Sequence, residues 1–172
     1  MKAAILLGAG LVCAAAHAQT HLTATALQRY FNSVRRNLEA SADAMPADKY
    51  SFRLTPGQMT FAEWLVHSTQ RNYSDCAVLR SESAPEAERQ AAGLKEKAEV
   101  SRALKDSFAY CAGALAAVDD AKVTSSDPLS YAFLHVIVHN NEIYGNLAGY
   151  LRASGIVPPS TAARSPQPGK KN

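Results

Sequence analysis

The sequence is most informative at first through what it lacks. It has no glycine-rich phosphate loop, no nucleophile-triad signature and no C-x-x-C-H haem attachment site. The last absence argues against an exported helical c-type cytochrome. The paired Glu-x-x-His pattern of di-iron bundles is missing as well. No run of Lys and Arg alternates with aromatics, and the formal charge is only +3, so nothing points to nucleic acid. The one basic cluster is Lys170-Lys171, at the extreme end. Beyond the N-terminus, no stretch approaches the length of a membrane span. Cysteine is scarce, with three residues in 172.

What is present suits one globular domain. The composition is 47% hydrophobic and 19% charged, enough apolar material for a core and unlike a disordered chain. Residues 1–18 read as a secretory signal. Met1-Lys2 gives a positive start, Ala3 to Ala16 is small and apolar, and Ala16-His17-Ala18 fits the A-x-A cleavage pattern. Val12 before Cys13 argues against lipid attachment there. Export, to a periplasm by composition, is therefore expected, with the domain over residues 19–160 and a disordered Pro-, Ser- and Lys-rich tail over residues 161–172. Removal of the signal leaves Cys76 and Cys111, for which two readings stand: a bonded pair in an oxidising compartment, or two small buried thiols.

Four segments carry a helical period. Leu27, Phe31, Val34, Leu38 and Ala42 make one stripe, ended by Met45-Pro46. Residues 47–59, with Pro56-Gly57, read as an ordered loop lying across the bundle. Thr60-Phe61-Ala62-Glu63 is a capping box that opens a second helix to about Arg80. Residues 86–94 fit either a loop or an extra helical turn. Leu104, Phe108, Cys111 and Leu115 mark a third helix, followed by a polar connection over residues 119–125. Ser126-Asp127-Pro128 starts the fourth helix, and Gly155 caps it before Pro158-Pro159. The class expected is all-α, an up-down four-helix bundle.

Four histidines follow the signal. His21 lies in the frayed start. His135 and His139 are four apart, so both project from one helical face, and His67 lies in the middle of another helix. Two imidazoles at i and i+4 can share a metal, but residues 136–138 between them supply no glutamate base. The opposing reading is a pair of half-buried histidines satisfied by Tyr or Asn. Glu63 stands one turn before His67, where it can orient the ring, although its capping role already accounts for it. Asn140 and Asn141 are either hydrogen-bond donors behind the histidines or solvent-facing. Trp64 and Tyr73 fit core packing better than the wall of a ligand cavity. Tyr150 and Arg152 read as an interface aromatic and a helix-terminal charge.

The words Met59-Thr60-Phe61-Ala62-Glu63-Trp64-Leu65-Val66-His67 and His139-Asn140-Asn141-Glu142-Ile143-Tyr144-Gly145-Asn146-Leu147 carry more. With Tyr150-Leu151-Arg152 and Gly155-Ile156-Val157-Pro158-Pro159-Ser160 they resemble the second and last helices of DinB-like proteins, a superfamily of metalloenzymes. The resemblance runs from about Leu27 to Ser160 and is closest to the exported branch, whose cysteines fall late in helix two and in helix three. It implies that Cys76 and Cys111 form a disulfide. It also implies homodimers and a three-histidine site with water completing the shell, holding zinc, nickel, manganese or iron. His67 and His139 match two ligands. The third belongs four residues after His139, where Ile143 cannot bind a metal. His135 on the other side of His139, or Glu142 swinging in, are the two rescues. The functions implied are hydrolysis or thiol transfer on an unidentified small molecule. The rival reading is a non-catalytic bundle that binds a ligand or partner and has lost the metal.

Overall fold

A computed structural model describes residues 22–164. The expected signal over residues 1–18, His21 and residues 165–172 of the tail expected from residue 161 lie outside the described residues. Seven helices and no strand occur among the described residues: α1 Leu22–Ala44, α2 Phe61–Arg80, α3 Glu86–Ala91, α4 Lys97–Ala116, α5 Asp120–Val123, α6 Asp127–Ala153 and α7 Pro159–Ala162. The long ones, α1, α2, α4 and α6, form the bundle. α2 packs on α4 and α6, and α1 packs on the same two from the opposite side.

Cross-helix contacts fix the directions. Gln28 near the start of α1 donates to the carbonyl of Leu115 at the end of α4, while Lys97 at the start of α4 donates to the carbonyls of Asp43 and Met45. These helices are therefore antiparallel. Trp64 meets Tyr150 and His67 meets His139, so α2 and α6 are antiparallel too. Asn72 meets Ser107 and Cys76 meets Cys111, so α2 and α4 are parallel. The bundle thus has α1 and α6 running one way and α2 and α4 the other. Residues 81–96, with α3 in their middle, return the chain along the length of the bundle. Ser74 anchors this return by donating to Glu88 at 2.6 Å.

Each helix end has a local cause. Thr60 and Glu63 make the expected capping box at α2: Thr60 Oγ1 accepts from Glu63 N, and Glu63 Oε2 accepts from Thr60 N at 2.6 Å. Ser81, at φ 58°, closes the other end. α6 has Pro128 in its first turn, and at its end Gly155 takes φ +77° while Ile156 N bonds back to Leu151 O at 2.8 Å. The connection over residues 119–125 contains a helical turn, α5, because Asp119 Oδ1 accepts from Lys122 N. Asp120 also accepts from Thr23 N and Ala24 N at the start of α1.

The core holds the expected apolar stripes. Phe31, Leu38, Phe61, Leu65, Leu104, Phe108, Leu115 and Leu147 are all buried, each side chain worth roughly 1.5–3 kcal/mol. Residues 45–60 do lie across the end of the bundle. Tyr50 is buried there and donates to Ala42 O at 2.7 Å, and its carbonyl accepts from Ala62 N at 2.9 Å. Tyr150, read from sequence as an interface aromatic, instead has no exposed surface. Its hydroxyl donates to Met59 O and accepts from Trp64 Nε1, which ties α6 to the start of α2. Past Gly155 the chain folds back into α7, held by Tyr144 Oη, which donates to Ser160 Oγ and accepts from Ser160 N.

Cys76 and Cys111 are joined as a disulfide with their Cα atoms 5.2 Å apart, both fully buried between α2 and α4.

Candidate metal centre in the groove between α2 and α6

On α2, residues 67, 71 and 75 share one face at steps of four. On α6, residues 131, 135 and 139 do the same. The antiparallel packing brings these two faces together. His67 Nε2 lies 2.9 Å from His139 Nε2, with the rings at 84°. His135 lies nearly parallel to His139, with ring centroids 4.9 Å apart and planes at 13°, and Tyr131 stacks on its other side at 5.1 Å. Trp64 meets His67 edge-on at 6.4 Å. Five rings therefore follow one another along the groove.

Both facing imidazoles are half-buried. Burial holds the His67 ring below its ordinary pKa, helped by His139, Arg71 and His135 nearby. Burial does the same for His139, with His135 adding to it, while Glu142 pulls the other way through a hydrogen bond and its charge. Both shifts favour the neutral form that metal ligation requires. Glu142 Oε2 stands 3.5 Å from His139 Nδ1, on the side away from His67. A carboxylate there favours a proton on Nδ1, which turns a lone pair from Nε2 toward His67. That lone pair needs either an Nε2–H from His67 or a cation between the rings.

The spacing can be compared with ligation. Metal–imidazole bonds of ~2.0–2.1 Å that meet at a right angle put the two nitrogens about 2.9 Å apart. The His67–His139 separation therefore matches two adjacent positions of an octahedral ion; a tetrahedral one needs about 3.3 Å. The position that would complete the expected trio supplies no ligand: Ile143 is 1% exposed and packs into the core. Among the described residues, no group of three His, Cys, Asp or Glu side chains is arranged to hold an ion.

Sequence reasoning did not single out Asp75 and Arg71. Asp75 is 4% exposed; its Oδ2 is 2.7 Å from His135 Nδ1 and its Oδ1 is 2.7 Å from Arg71 Nη2. The signal was available in the register 67, 71, 75, which continues the face of His67 by two turns. Asn140, expected either behind the histidines or in solvent, is 1% exposed. It accepts from Ser68 Oγ at 2.5 Å and donates to Asn72 Oδ1 at 2.7 Å; Asn72 in turn donates to Ser107 Oγ at 3.0 Å. This chain of buried amides and hydroxyls links α6, α2 and α4 beneath the histidines.

Glu63 remains in its cap. The Thr60 amide, then the Thr60 hydroxyl, hold its carboxyl below the ordinary range. With His67 it lines a cleft of about 420 Å³ that also takes in Arg53, Gln58, Met59 and Gln70. Tyr73 is buried, as core packing requires, and Trp64 is half-buried.

An all-helical bundle that turns two neutral imidazoles from its second and last long helices toward each other belongs to a recognisable class. The family model of the DinB superfamily matches residues 30–143, and the chain belongs to that superfamily. No curated protein and no solved structure matches the chain.

Proposed function

We propose that this is an exported DinB-superfamily protein in which His67 and His139 hold a divalent metal ion, the remainder of a three-histidine site, and that it acts as a hydrolase or in thiol transfer. The observation that carries this reading is the 2.9 Å approach of His67 Nε2 to His139 Nε2 across two helices 72 residues apart in sequence. An ion held there supplies a Lewis acid that makes a water or thiol nucleophile easier to deprotonate. The residues of the chain do the rest. Burial favours the neutral form of both rings, Glu142 orients His139 from behind, and the cleft beside His67 offers room for a small molecule. His135, the third candidate ligand, is bonded to Asp75 through Nδ1 and joins only by leaving its stack on His139. Export is supported by the N-terminal sequence pattern and is compatible with the disulfide. No described helix is long and apolar enough to cross a membrane.

The buried Ile143 favours a second reading, a non-catalytic bundle that binds a ligand or partner and pairs His67 with His139 by a plain hydrogen bond. Metal content separates the two. The protein, purified and dialysed without chelator, is assayed for zinc, nickel, manganese and iron. Near-stoichiometric metal that disappears in His67→Ala supports the enzyme. No metal, even after loading, leaves the second reading standing.

A further inference from the structure

We propose that Asp75 is a positioning residue: clamped by Arg71, it fixes His135 with Nδ1–H toward the carboxylate and leaves Nε2 as an open acceptor beside the His67–His139 pair. The ligand class it serves is a protic one, a molecule that brings an O–H, S–H or N–H to the groove. The inference rests on the proposed centre for its functional meaning but not for its geometry.

The argument begins with a buried charge. A carboxylate with 4% exposure is costly unless it is both balanced and hydrogen-bonded. Arg71 supplies the balancing charge at Oδ1, at 2.7 Å. His135 is therefore free to satisfy Oδ2 as a neutral donor and need not carry a proton on both nitrogens. An ionised carboxylate only accepts, so the hydrogen of this 2.7 Å bond belongs to His135 Nδ1. In a neutral ring, the lone pair then falls to Nε2.

Stacking fixes the rest. The His135 and His139 planes are 13° from parallel. Lone pairs lie in the ring planes, so those of two stacked rings run side by side and do not converge on one ion. His139 meets His67 nearly at right angles instead. The stack thus holds His135 out of the ligand set, one helical turn from it. The His135 side chain keeps about a fifth of its surface exposed, so the groove can deliver a ligand to it. A face occupied by Tyr131 on one side and His139 on the other leaves only the ring edge open.

Long-range proton–nitrogen spectra of ¹⁵N-labelled, metal-free protein, recorded where imidazoles are neutral, read the tautomer directly. Protonated Nδ1 and bare Nε2 at His135 are expected. Asp75→Ala should shift the ring toward the Nε2–H form, and so should Asp75→Asn, because its single amide oxygen stays on the donor-only Arg71 and its amide N–H turns toward His135 Nδ1. Circular dichroism checks that each variant folds. A wild-type His135 carrying its proton on Nε2 overturns the proposal whether or not a variant folds, and so does a pattern unchanged in folded Asp75→Ala. Zinc is then added to the wild type. Large shifts at His67 and His139 Nε2, with His135 Nε2 unmetallated, are the expected result. Metallation of His135 Nε2 overturns the proposal. Absence of any zinc shift removes the metal reading alone, and the Nδ1–H tautomer that Asp75 imposes stands.

Discussion

Reduction of the Cys76–Cys111 bond should cost this protein a large part of its stability. The bond closes a loop with a sequence separation of 35. In the chain-entropy model, a loop of that length removes roughly 3.8 kcal/mol of freedom from the unfolded chain. Both sulfurs are fully buried between parallel helices, so the freed thiols gain no hydration, and the weak S–H bond that Cys111 can donate to the Asn72 carbonyl at 3.1 Å offsets little. At ~2–4 °C per kcal/mol for a chain of this size, the midpoint of thermal unfolding should fall by roughly 8–15 °C. Paired thermal melts with and without reductant, on wild type and on Cys76→Ala/Cys111→Ala, measure it, and urea melts read the free energy itself. Reductant should lower the wild-type curve toward that of the double variant, which should itself be insensitive to reductant. Coincident wild-type curves, with mass spectrometry confirming that the thiols were freed, would refute the loop-closure reasoning.

Asn140→Ala should destabilise by about 2–4 kcal/mol in denaturant melts, since it takes their partner from the Ser68 hydroxyl and from Asn72 Oδ1 inside the bundle. Acid should act on the histidine pair with a definite sign. His67 and His139 take up protons less readily when folded than the ordinary imidazole at about 6.5, so stability is full above that value. It should decline as pH falls below it toward the folded-state values, with less of a decline in His67→Gln. Ile143→His restores a third imidazole at the position the family pattern implies. It should raise zinc affinity by at least about tenfold, one ligand's worth of roughly 1.4 kcal/mol, while lowering metal-free stability. Competition titration against a chromophoric chelator reads the first effect and a melt the second.

The helices were legible because each signal was local. Thr60 and Glu63 in the capping box, Pro128 and Gly155 at the ends of α6, and the Leu27-to-Ala42 stripe all act within a turn or two of themselves. The relation of α2 to α4 was not, because parallel alignment depends on how residues 81–96 travel back, and nothing local in that polar stretch states it. The histidines were found by residue type and spacing, and their meeting was anticipated through likeness to a family. Asp75 escaped because an aspartate beside an arginine four residues away reads as a surface ion pair. Only the packing of α6 buries it and gives it His135 as a partner. Tyr150 was misplaced for a similar reason: a tyrosine near a helix end is commonly exposed, and the lid formed by residues 45–60 is what covers this one.

His67 and His139 stand 72 residues apart in the translated order, on the second and last long helices, so their nitrogens meet only after the last long helix has docked. A truncated or half-assembled chain has one ring without the other. Any ion taken up across that gap would cement a late event in maturation, and its loading would serve as a gauge of completed assembly as much as of chemistry.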